Sequence, residues 1–342
     1  MTLCLGIEST AHTFGVAVVE SDINKTNYDR AKCEILSNEK DSYSTEKGGM
    51  IPNELAEHHY KVAGAVVRAA LEKANCKLSD IELVAFSQGP GIGNALRCGA
   101  ITARQLAAKS GVPLIGVNHC VAHIEIGRKL CTALDPVMLY ASGANTQIVC
   151  FENGYYRVFG ETLDMGIGNF LDTFGRAMGM GFPAGPILDR MYFEGKNFVD
   201  LPYTVKGMDL AFSGLLTAAK SKISLIEKGE ITKEDLVYST LHNAFAMLTE
   251  VTERALAHTR KESVVLGGGV GCSRALQQMV GKMCEERGAK LFVPPNGVMI
   301  DNAGMIAWTG LLMNAHGIKT SNASSTILPR QRTDDVKVTW RK

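Results

Sequence analysis

The sequence predicts an α/β protein built from two halves that repeat one plan, with a cleft between them. Two observations lead to this fold class. Each half opens with two apolar strands joined by a short polar turn, and each half later has an apolar strand, a glycine-rich loop and a helix. At 342 residues the chain is long enough for two such units, each with a core of its own.

The first shared feature is a hairpin whose tip carries small and hydroxyl residues. The strands that flank the two tips are Leu3–Ile7 with Phe14–Val19, and Val137–Ala141 with Gln147–Phe151. Backbone N–H groups and hydroxyls at such a tip can bind phosphate oxygens. The tip of the first hairpin therefore makes Ser9 and Thr10 candidate phosphate ligands.

The second shared feature is a glycine-rich loop that leads from a strand into a helix. The predicted strand and helix pairs are residues 83–86 with 94–109, and residues 263–266 with 273–287. The positive end of a helix dipole favours an anion at such a loop, so Gly268 and Gly269 join the phosphate candidates. The chain has no P-loop lysine motif, which argues against a P-loop enzyme, and the first loop, residues 89–93, lacks the Rossmann spacing, which argues against dinucleotide binding.

Three further helices and two edge strands complete the predicted organisation. The helices are Lys233–Arg260, Asp301–His316 and Asn53–Lys73, the last with Asn53 as its N-cap, and the edge strands lie within Asp22–Met50 and at Val336–Trp340. The final strand is expected to return to the first lobe. We therefore assign residues 1–134 and 322–342 to an N-terminal lobe and residues 135–321 to a C-terminal lobe.

Two histidines four positions apart, His119 and His123, follow the apolar run Pro113–Val117. If the chain turns helical after that run, both imidazoles lie on one face, which suits two ligands of one metal ion. A packed and hydrogen-bonded pair has the same spacing, so both interpretations stay open. The residue after the first histidine is Cys120, where a metalloprotease helix needs glutamate, so proteolysis of that type is disfavoured.

The composition is that of an ordinary soluble protein, with a net charge of +1. So small a charge gives no electrostatic footprint that demands nucleic acid, and any basic patch is local or supplied by a partner. The nine cysteines are odd in number and contain no C-x-x-C, which indicates free thiols in a reducing compartment. We see no signal peptide and no stretch of membrane-spanning length, and we expect a cytoplasmic protein.

Five stretches of the chain together resemble one family, the TsaD family of tRNA threonylcarbamoyladenosine transferases. They are GVNHCVAHIEIG, YASGANTQ, FGETLDMGIGNFLDTFGR, DLAFSGLLTAA and DNAGMIAW, and the resemblance runs from Leu3 to about Trp340. It implies an actin-like ATPase fold with two RNase H-like lobes and a central cleft. It also implies transfer of a threonylcarbamoyl group from threonylcarbamoyl-AMP to N6 of the adenosine 3′ of the anticodon in tRNA, with release of AMP.

The resemblance further implies cofactors and partners. One metal ion, iron or zinc, is expected on His119 and His123 and on Asp301 from the other lobe, with Tyr140 at or on the metal. An adenine nucleotide (threonylcarbamoyl-AMP, AMP or ATP) is expected in the cleft, and Mg²⁺ is a further candidate cofactor. The partners it implies are tRNA and the KEOPS subunits, a small kinase or ATPase subunit and a dimerising subunit.

The same resemblance assigns nucleotide contacts to the second half of the chain. The tip expected on the phosphate side is Ala141, Ser142, Gly143 and Ala144, and the residues expected on the nucleoside are Asp172, Gly185, Asp189 and Ser273. Three of these depart from the usual family pattern. Ala144 replaces a glycine, Asp189 stands where glutamate is common, and Ser273 stands where asparagine is common. We expect these departures to change the affinity for the substrate.

Simpler interpretations stand beside several of these residues. Asp301 can cap the helix that follows it, Tyr140 can be a core aromatic of a strand, and Asp172 can pair with Arg176 one helical turn away. Two other functions also stay open, a metal-dependent ATPase or phosphotransferase of the same fold and a nucleic-acid-binding scaffold. A metal site that spans the two lobes would separate the transferase from sugar kinases, in which Mg²⁺ is bound mainly by phosphate and carboxylate.

Overall fold

The computed structural model describes residues 1–44 and 51–341, which form two compact units. Unit 1 comprises Met1–Leu134, Glu152–Tyr156 and the described chain from Ile300 onwards, and unit 2 comprises Asp135–Phe151 and Arg157–Met299. The second boundary differs from the prediction, which gave residues up to 321 to the C-terminal lobe. The helix that follows residue 300 packs on the sheet of unit 1, and its contacts place it there.

The strands of the two units account for the predicted hairpins with shifts of one or two residues at most ends. In chain order they are β1 (Thr2–Glu8), β2 (Thr13–Ser21), β3 (Glu34–Ser42), β4 (Leu83–Gly89), β5 (Leu114–Asn118), β6 (Val137–Ala141), β7 (Thr146–Glu152), β8 (Tyr155–Glu161), β9 (Val205–Lys206), β10 (Asp209–Leu210), β11 (Ser263–Gly267) and β12 (Lys290–Phe292). The edge strand predicted within residues 22–50 is β3. Residues 45–50 of that predicted segment lie outside the described part of the chain.

The helices agree with the predicted helical segments, which end within a few residues of the observed bounds. In chain order they are α1 (Pro52–Lys73), α2 (Gly93–Ser110), α3 (His119–Cys131), α4 (Ile167–Ala177), α5 (Gly185–Tyr192), α6 (Ser213–Ser221), α7 (Ile223–Glu227), α8 (Lys233–Thr259), α9 (Arg274–Arg287), α10 (Asn296–Met299) and α11 (Ala303–Ala315). Within the described ranges, none of these helices is both long and apolar enough to cross a membrane.

Each unit has a five-stranded sheet of the same design, as the repeated plan predicts. The order is β3-β2-β1-β4-β5 in unit 1 and β8-β7-β6-β11-β12 in unit 2. In unit 1 the central strand β1 pairs antiparallel with β2 and parallel with β4. In unit 2 the central strand β6 likewise pairs antiparallel with β7 and parallel with β11. Helices pack on the sheets, and each unit has a hydrophobic core cluster of its own. The duplicated α/β plan is therefore confirmed.

Helix α11 contacts β1, β2 and β4 of unit 1 through positions that only small residues can occupy. A Cβ atom on Gly6 would overlap the backbone carbonyl of Ala303, and a Cβ atom on Gly310 would overlap the side chain of Ala85. These glycines let the helix and the sheet approach closely, which fixes where α11 begins. The start of α11 matters because Asp301 lies just before it.

Two predicted details are wrong. Asn53 does not cap α1: the N-cap is Ile51, because Pro52 occupies the first helical turn, where its fixed φ suits the start of a helix. Residues 336–340 do not form an edge strand; only Lys337 makes an isolated antiparallel bridge, with Tyr155. Both partners of that bridge belong to unit 1, so the end of the chain does return to the first unit.

A buried carboxylate, Glu125 on α3, ties the end of the chain to unit 1. Its oxygens accept hydrogen bonds from Nη1 of Arg128 at 2.6 Å, from Nε1 of Trp340 at 2.7 Å and from the hydroxyls of Tyr28 and Tyr156. Burial acts to raise the pKa of Glu125, but the charge of Arg128 and the hydrogen bonds outweigh it and hold the pKa below its usual value. The group is therefore a buried ion pair in a satisfied network.

The substitution Glu125→Gln tests this network. We expect it to lower the free energy of unfolding by about 3–5 kcal/mol, because Arg128 would be left as an uncompensated buried charge. Glu250→Gln is the matched control, since its partner Arg254 is also one helical turn away but both side chains are partly exposed, 43% for Arg254 and 30% for Glu250. The control should cost less than about 1 kcal/mol. Equal losses in urea-induced unfolding would contradict this account.

Candidate functional site

The two histidines of the predicted pair lie on one face of α3, as their spacing predicts. The helix begins at His119, directly after β5, because the side-chain oxygen of Asn118 accepts the N–H of Val121 at 3.1 Å and caps the first turn. The ring centroids of His119 and His123 are 4.7 Å apart, with the ring planes at 79°. Both side chains are almost fully buried within unit 1.

Asp301 lies beside this pair and does not cap the following helix. Asn302 is the cap of α11, since its side-chain oxygen accepts the N–H of Met305 at 3.0 Å. The Oδ1 atom of Asp301 is 3.4 Å from Nε2 of His119 and 3.4 Å from Nε2 of His123. The prediction that Asp301 belongs to the other lobe is wrong, because all three residues lie in unit 1.

A residue that the sequence reasoning missed, Glu8, completes the group. Its Oε2 atom lies 2.9 Å from Nδ1 of His119, and its Oε1 atom accepts the N–H of Thr10 at 2.7 Å. The Thr10 hydroxyl bonds to the same carboxylate and lies 3.3 Å from Nδ1 of His119. Glu8 is the last residue of β1 and His119 directly follows β5. These two strands run parallel in one sheet, and their shared carboxyl edge is the signal that could have identified Glu8.

The donor set fits a transition-metal ion. One ligand atom from each of His119, His123 and Asp301 lies within 4.8 Å of the other two. Two imidazole nitrogens and a carboxylate oxygen suit zinc or iron. A carboxylate on the far nitrogen of a ligating histidine fixes the tautomer and the ring orientation, and Glu8 takes this position on His119.

The electrostatics of the group favour a cation. Burial acts to lower the pKa of His119, yet the carboxylates of Glu8 and Asp301 raise it well above its usual value. Burial acts to raise the pKa of Asp301, yet the charge of His119 holds it well below its usual value. The pKa of His123 is lowered, chiefly by burial. Two carboxylates therefore face one imidazolium charge, which leaves one negative charge in excess, and a divalent metal ion in place of that proton can balance both carboxylates.

The second hairpin tip, in unit 2, is closed by its own hydrogen bonds. The N–H and the hydroxyl of Ser142 both donate to the carbonyl of Asn145 at 2.9 Å. The N–H groups of Gly168 and Asn169 at the start of α4 donate to the carbonyls of Ser142 and Gly143 at 3.0 Å. Ala144, where the family usually has glycine, is not among the residues with positive φ, so the alanine causes no backbone strain.

The four predicted nucleoside residues form two hydrogen-bonded groups in unit 2. Asp172 on α4 accepts the N–H of Ala184 at 2.8 Å and so fixes the turn before α5, which begins at Gly185. Asp189 on α5 accepts the hydroxyl of Ser273 and the N–H of Arg274, the latter at 3.2 Å. Asp189 and Ser273 together therefore cap α9.

The two candidates of the first hairpin tip occupy different surroundings. Thr10 lies at the histidine group, as described above. Ser9 is fully buried, its N–H donates to the hydroxyl of Ser87 at 3.0 Å, and its own hydroxyl packs against Gly99 of α2. The Ser9 hydroxyl is buried and has no hydrogen-bond partner, and the role of Ser9 as a phosphate ligand stays a prediction. Tyr140 lies in β6 of unit 2 and is almost fully buried.

Comparison with solved structures shows the fold of the chain. An activator of 2-hydroxyisocaproyl-CoA dehydratase from Clostridium difficile, with bound ADPNP, matches with a TM-score of 0.54 and 13% identity over 94% of this chain and 100% of that chain. HypF from T. kodakarensis matches with a TM-score of 0.61 and 15% identity over 91% of this chain and 47% of that chain. The chain has the actin-like ATPase fold that these proteins share.

The sequence comparisons give the family. The family model described as TsaD, tRNA N6-adenosine threonylcarbamoyltransferase, matches residues 34–308. A relative of that name from Thermococcus kodakarensis is 49% identical over 99% of both chains. A probable bifunctional tRNA threonylcarbamoyladenosine biosynthesis protein from Methanocorpusculum labreanum is 52% identical over 98% of this chain and 60% of its own length. The chain belongs to the TsaD family.

Two adjacent glycines in the loop before α9 test how tightly unit 2 is built at the tip. Gly268 has φ 82° and ψ 160°, a region that only glycine adopts readily, and a Cβ atom there would overlap the carbonyl of Ala141. Gly269 has open space around it. We expect Gly268→Ala to cost at least about 1–3 kcal/mol of unfolding free energy from the backbone alone.

The control Gly269→Ala should change the unfolding free energy by less than about 0.5 kcal/mol. Both variants can be compared by thermal and urea unfolding, with wild type in the same buffer. Equal stability of the two variants would show that the loop does not hold the tip.

Proposed function

We propose that this chain transfers the threonylcarbamoyl group of threonylcarbamoyl-AMP to N6 of the adenosine 3′ of the anticodon in tRNA. In this reaction N6 forms a bond to the carbamoyl carbon and loses one proton. The bond from that carbon to the phosphate oxygen breaks, and AMP leaves. Membership of the TsaD family over the length of the chain supports this reaction, and the group formed by His119, His123 and Asp301 supplies a matching site.

We further propose that His119, His123 and Asp301 hold one iron or zinc ion, with Tyr140 as an additional ligand. When bound, such an ion supplies Lewis-acid polarisation and a template for the oxygens of the threonyl group. Glu8 keeps Nδ1 of His119 occupied, so Nε2 stays directed towards Asp301. An aromatic amine is a weak nucleophile, and this fixed geometry contributes by placing the reacting groups.

We assign the adenine nucleotide to unit 2. The phosphate side is the tip Ala141, Ser142, Gly143 and Ala144 with Gly268 and Gly269, and the nucleoside side is Asp172, Gly185, Asp189 and Ser273. The first turns of α4 and α9 lie beside these groups, and the N-terminal ends of helices favour negative charge. Ser9, Thr10 and Mg²⁺ remain candidates on the phosphate side. The first N–H groups of α4 and α9 are already bonded to the tip carbonyls, to Asp189 and to Ser273, so these helix ends favour a departing phosphate through their dipoles.

The partners and the location extend the proposal. We propose that the chain works with the KEOPS subunits, a small kinase or ATPase subunit and a dimerising subunit, and that it does so in the cytoplasm. The net charge of +1 supports a need for partners, because the chain as a whole has no strong attraction for the phosphates of tRNA. Nine free cysteines are in keeping with a reducing compartment.

Two alternatives predict different products. A phosphotransferase of the same fold would consume ATP without modifying tRNA. A binding scaffold would neither consume ATP nor modify tRNA. The family match over the whole chain favours group transfer over both. Nucleoside mass analysis separates the three, because only the transferase adds the threonylcarbamoyl mass to adenosine.

The decisive variant is His119→Ala. Incubation of unmodified tRNA with threonine, bicarbonate, ATP, the adenylate-forming enzyme and the KEOPS partners should yield the modified adenosine with the wild-type chain. The alanine variant should yield none, because it removes an imidazole from the proposed ion. Metal analysis should find roughly one ion per wild-type chain and a clear loss in the variant.

His258→Ala is the matched control, because this histidine is exposed on α8 in unit 2, where its ring meets only that of Phe159 among the ring contacts of the described residues. It should keep both the metal and the product. Full product formation by His119→Ala would remove the histidine group from the mechanism, and absence of product with the wild-type chain in the complete mixture would overturn the proposed function.

A further inference from the structure

Unit 2 exposes phenylalanines over one short part of the chain. Within the described ranges, the exposed phenylalanines are Phe182, Phe193 and Phe198, with 46%, 43% and 52% of their surface accessible. Phenylalanine is normally a core residue, as Phe170 and Phe245 are in the same unit. Apolar surface gathered in one place on a soluble protein usually marks a binding site. Neither the metal group nor the nucleotide loops use these rings.

Two of these rings belong to a continuous group, which we call the aromatic surface. It comprises Tyr192, Phe193, Phe198, Tyr238 and His242. The ring of Tyr192 lies 5.1 Å from the rings of both Phe193 and Tyr238, and the ring of Phe198 lies 5.9 Å from that of His242 and 6.3 Å from that of Tyr238. Tyr238 and His242 are one turn apart on α8, so they share a face and support the other rings.

The backbone that carries Phe198 is held in place by hydrogen bonds. The carboxylate of Asp235 on α8 accepts the N–H groups of Lys196 and Asn197, each at 2.8 Å. The hydroxyl of Ser239, one turn further along α8, accepts the N–H of Val199 at 2.7 Å. The exposed ring of Phe198 is therefore presented by a fixed loop, which lowers the entropy cost of binding a ligand on it.

The charges around the aromatic surface are sorted by sign. The carboxylates of Asp189 and Asp235 are engaged with backbone N–H groups, while the guanidinium of Arg274 lies 5.1 Å from the centre of the Phe193 ring. The other exposed cations of this region are Arg176, Arg190 and Lys196, and the exposed acids between residues 176 and 203 are Glu194 and Asp200. With Asp189 and Asp235 included, basic and acidic side chains are equal in number here, but only two of the acids, Glu194 and Asp200, are exposed, so the positive charges are the more accessible ones.

We propose that the aromatic surface binds RNA by stacking unpaired bases on its exposed rings, with the neighbouring arginine and lysine side chains on the phosphates. Aromatic rings and arginine planes are the usual platforms for single-stranded RNA. The surface also adjoins the proposed nucleotide site, because the N–H of Arg274 donates to Asp189. The inference rests on the proposed function. It assigns the binding of tRNA to a local surface of a chain whose net charge is only +1.

A protein partner would also cover exposed phenylalanines, but the observations favour RNA. A guanidinium that lies over an exposed ring offers a flat cation beside a flat apolar face, which matches a base and its phosphate. Among the exposed side chains named above, the cations outnumber the acids, which suits a polyanion. Binding of a protein partner is therefore treated as the competing outcome of the test.

The test measures binding of the full chain to a fluorescein-labelled RNA with the anticodon stem and its unpaired loop. Phe198→Ala and Phe193→Ala should raise the Kd about 5- to 150-fold, the range for loss of stacking on one base. Phe198→Trp should restore binding, because it replaces one stacking ring with another. Tyr60→Ala is the matched control, since Tyr60 is 54% exposed but lies on α1 of unit 1, and it should leave the Kd unchanged.

The same proteins are compared by thermal unfolding, and each variant is also tested for binding of the KEOPS partners. Unchanged Kd values in both alanine variants, including a lack of RNA binding by all proteins, would overturn the inference. Loss of a protein partner with unchanged RNA affinity would also overturn it and would assign the surface to that partner. A wild-type chain that makes no modified adenosine but shows the predicted Kd differences would refute the proposed function and leave the RNA surface standing.

Discussion

The contact between Glu8 and His119 is the interaction on which the candidate site depends. An imidazole has two nitrogens, and a metal ligand must direct one of them towards the other ligands. The carboxylate of Glu8, fully buried at the end of β1, occupies Nδ1 of His119 at 2.9 Å and leaves Nε2 directed at Asp301. A buried carboxylate without a cation near it would be costly, so the group is built for positive charge, whether from a proton or from a metal ion.

The packing of α11 on the sheet brings the third member of this group into place. Gly6 and Gly310 remove the side chains that would keep the helix away from β1 and β4. Asn302 caps the helix, and the residue before the cap, Asp301, then faces the histidines. A core packing feature of unit 1 and the chemistry of the site are therefore linked through the position of one helix start.

Much of the fold followed from the sequence because the signals are local. Apolar runs and polar turns located β1, β2, β6 and β7, and a spacing of four predicted the shared face of His119 and His123. The failures concern contacts between distant parts of the chain. Glu8 and His119 are 111 positions apart, and only the strand order brings them together. Sequence reasoning likewise placed Asp301 in the wrong unit, because an apolar helical pattern does not say which sheet it covers.

The aromatic surface shows the same limit in unit 2. Its rings come from α5, from the loop after it and from α8, and the individual residues look like ordinary core positions in the sequence. Only the structure shows that Phe193 and Phe198 remain exposed while Asp235 and Ser239 hold their loop. Cysteine content and net charge, in contrast, are properties of composition and could be judged without any structure.

Anomalous diffraction from crystals of the metal-loaded chain tests the central claim most directly. The account predicts one peak at about 2.0–2.2 Å from Nε2 of His119, Nε2 of His123 and an oxygen of Asp301, with Glu8 still on Nδ1 of His119. A peak on other residues, or no peak at this group in a chain that retains its metal, would contradict it.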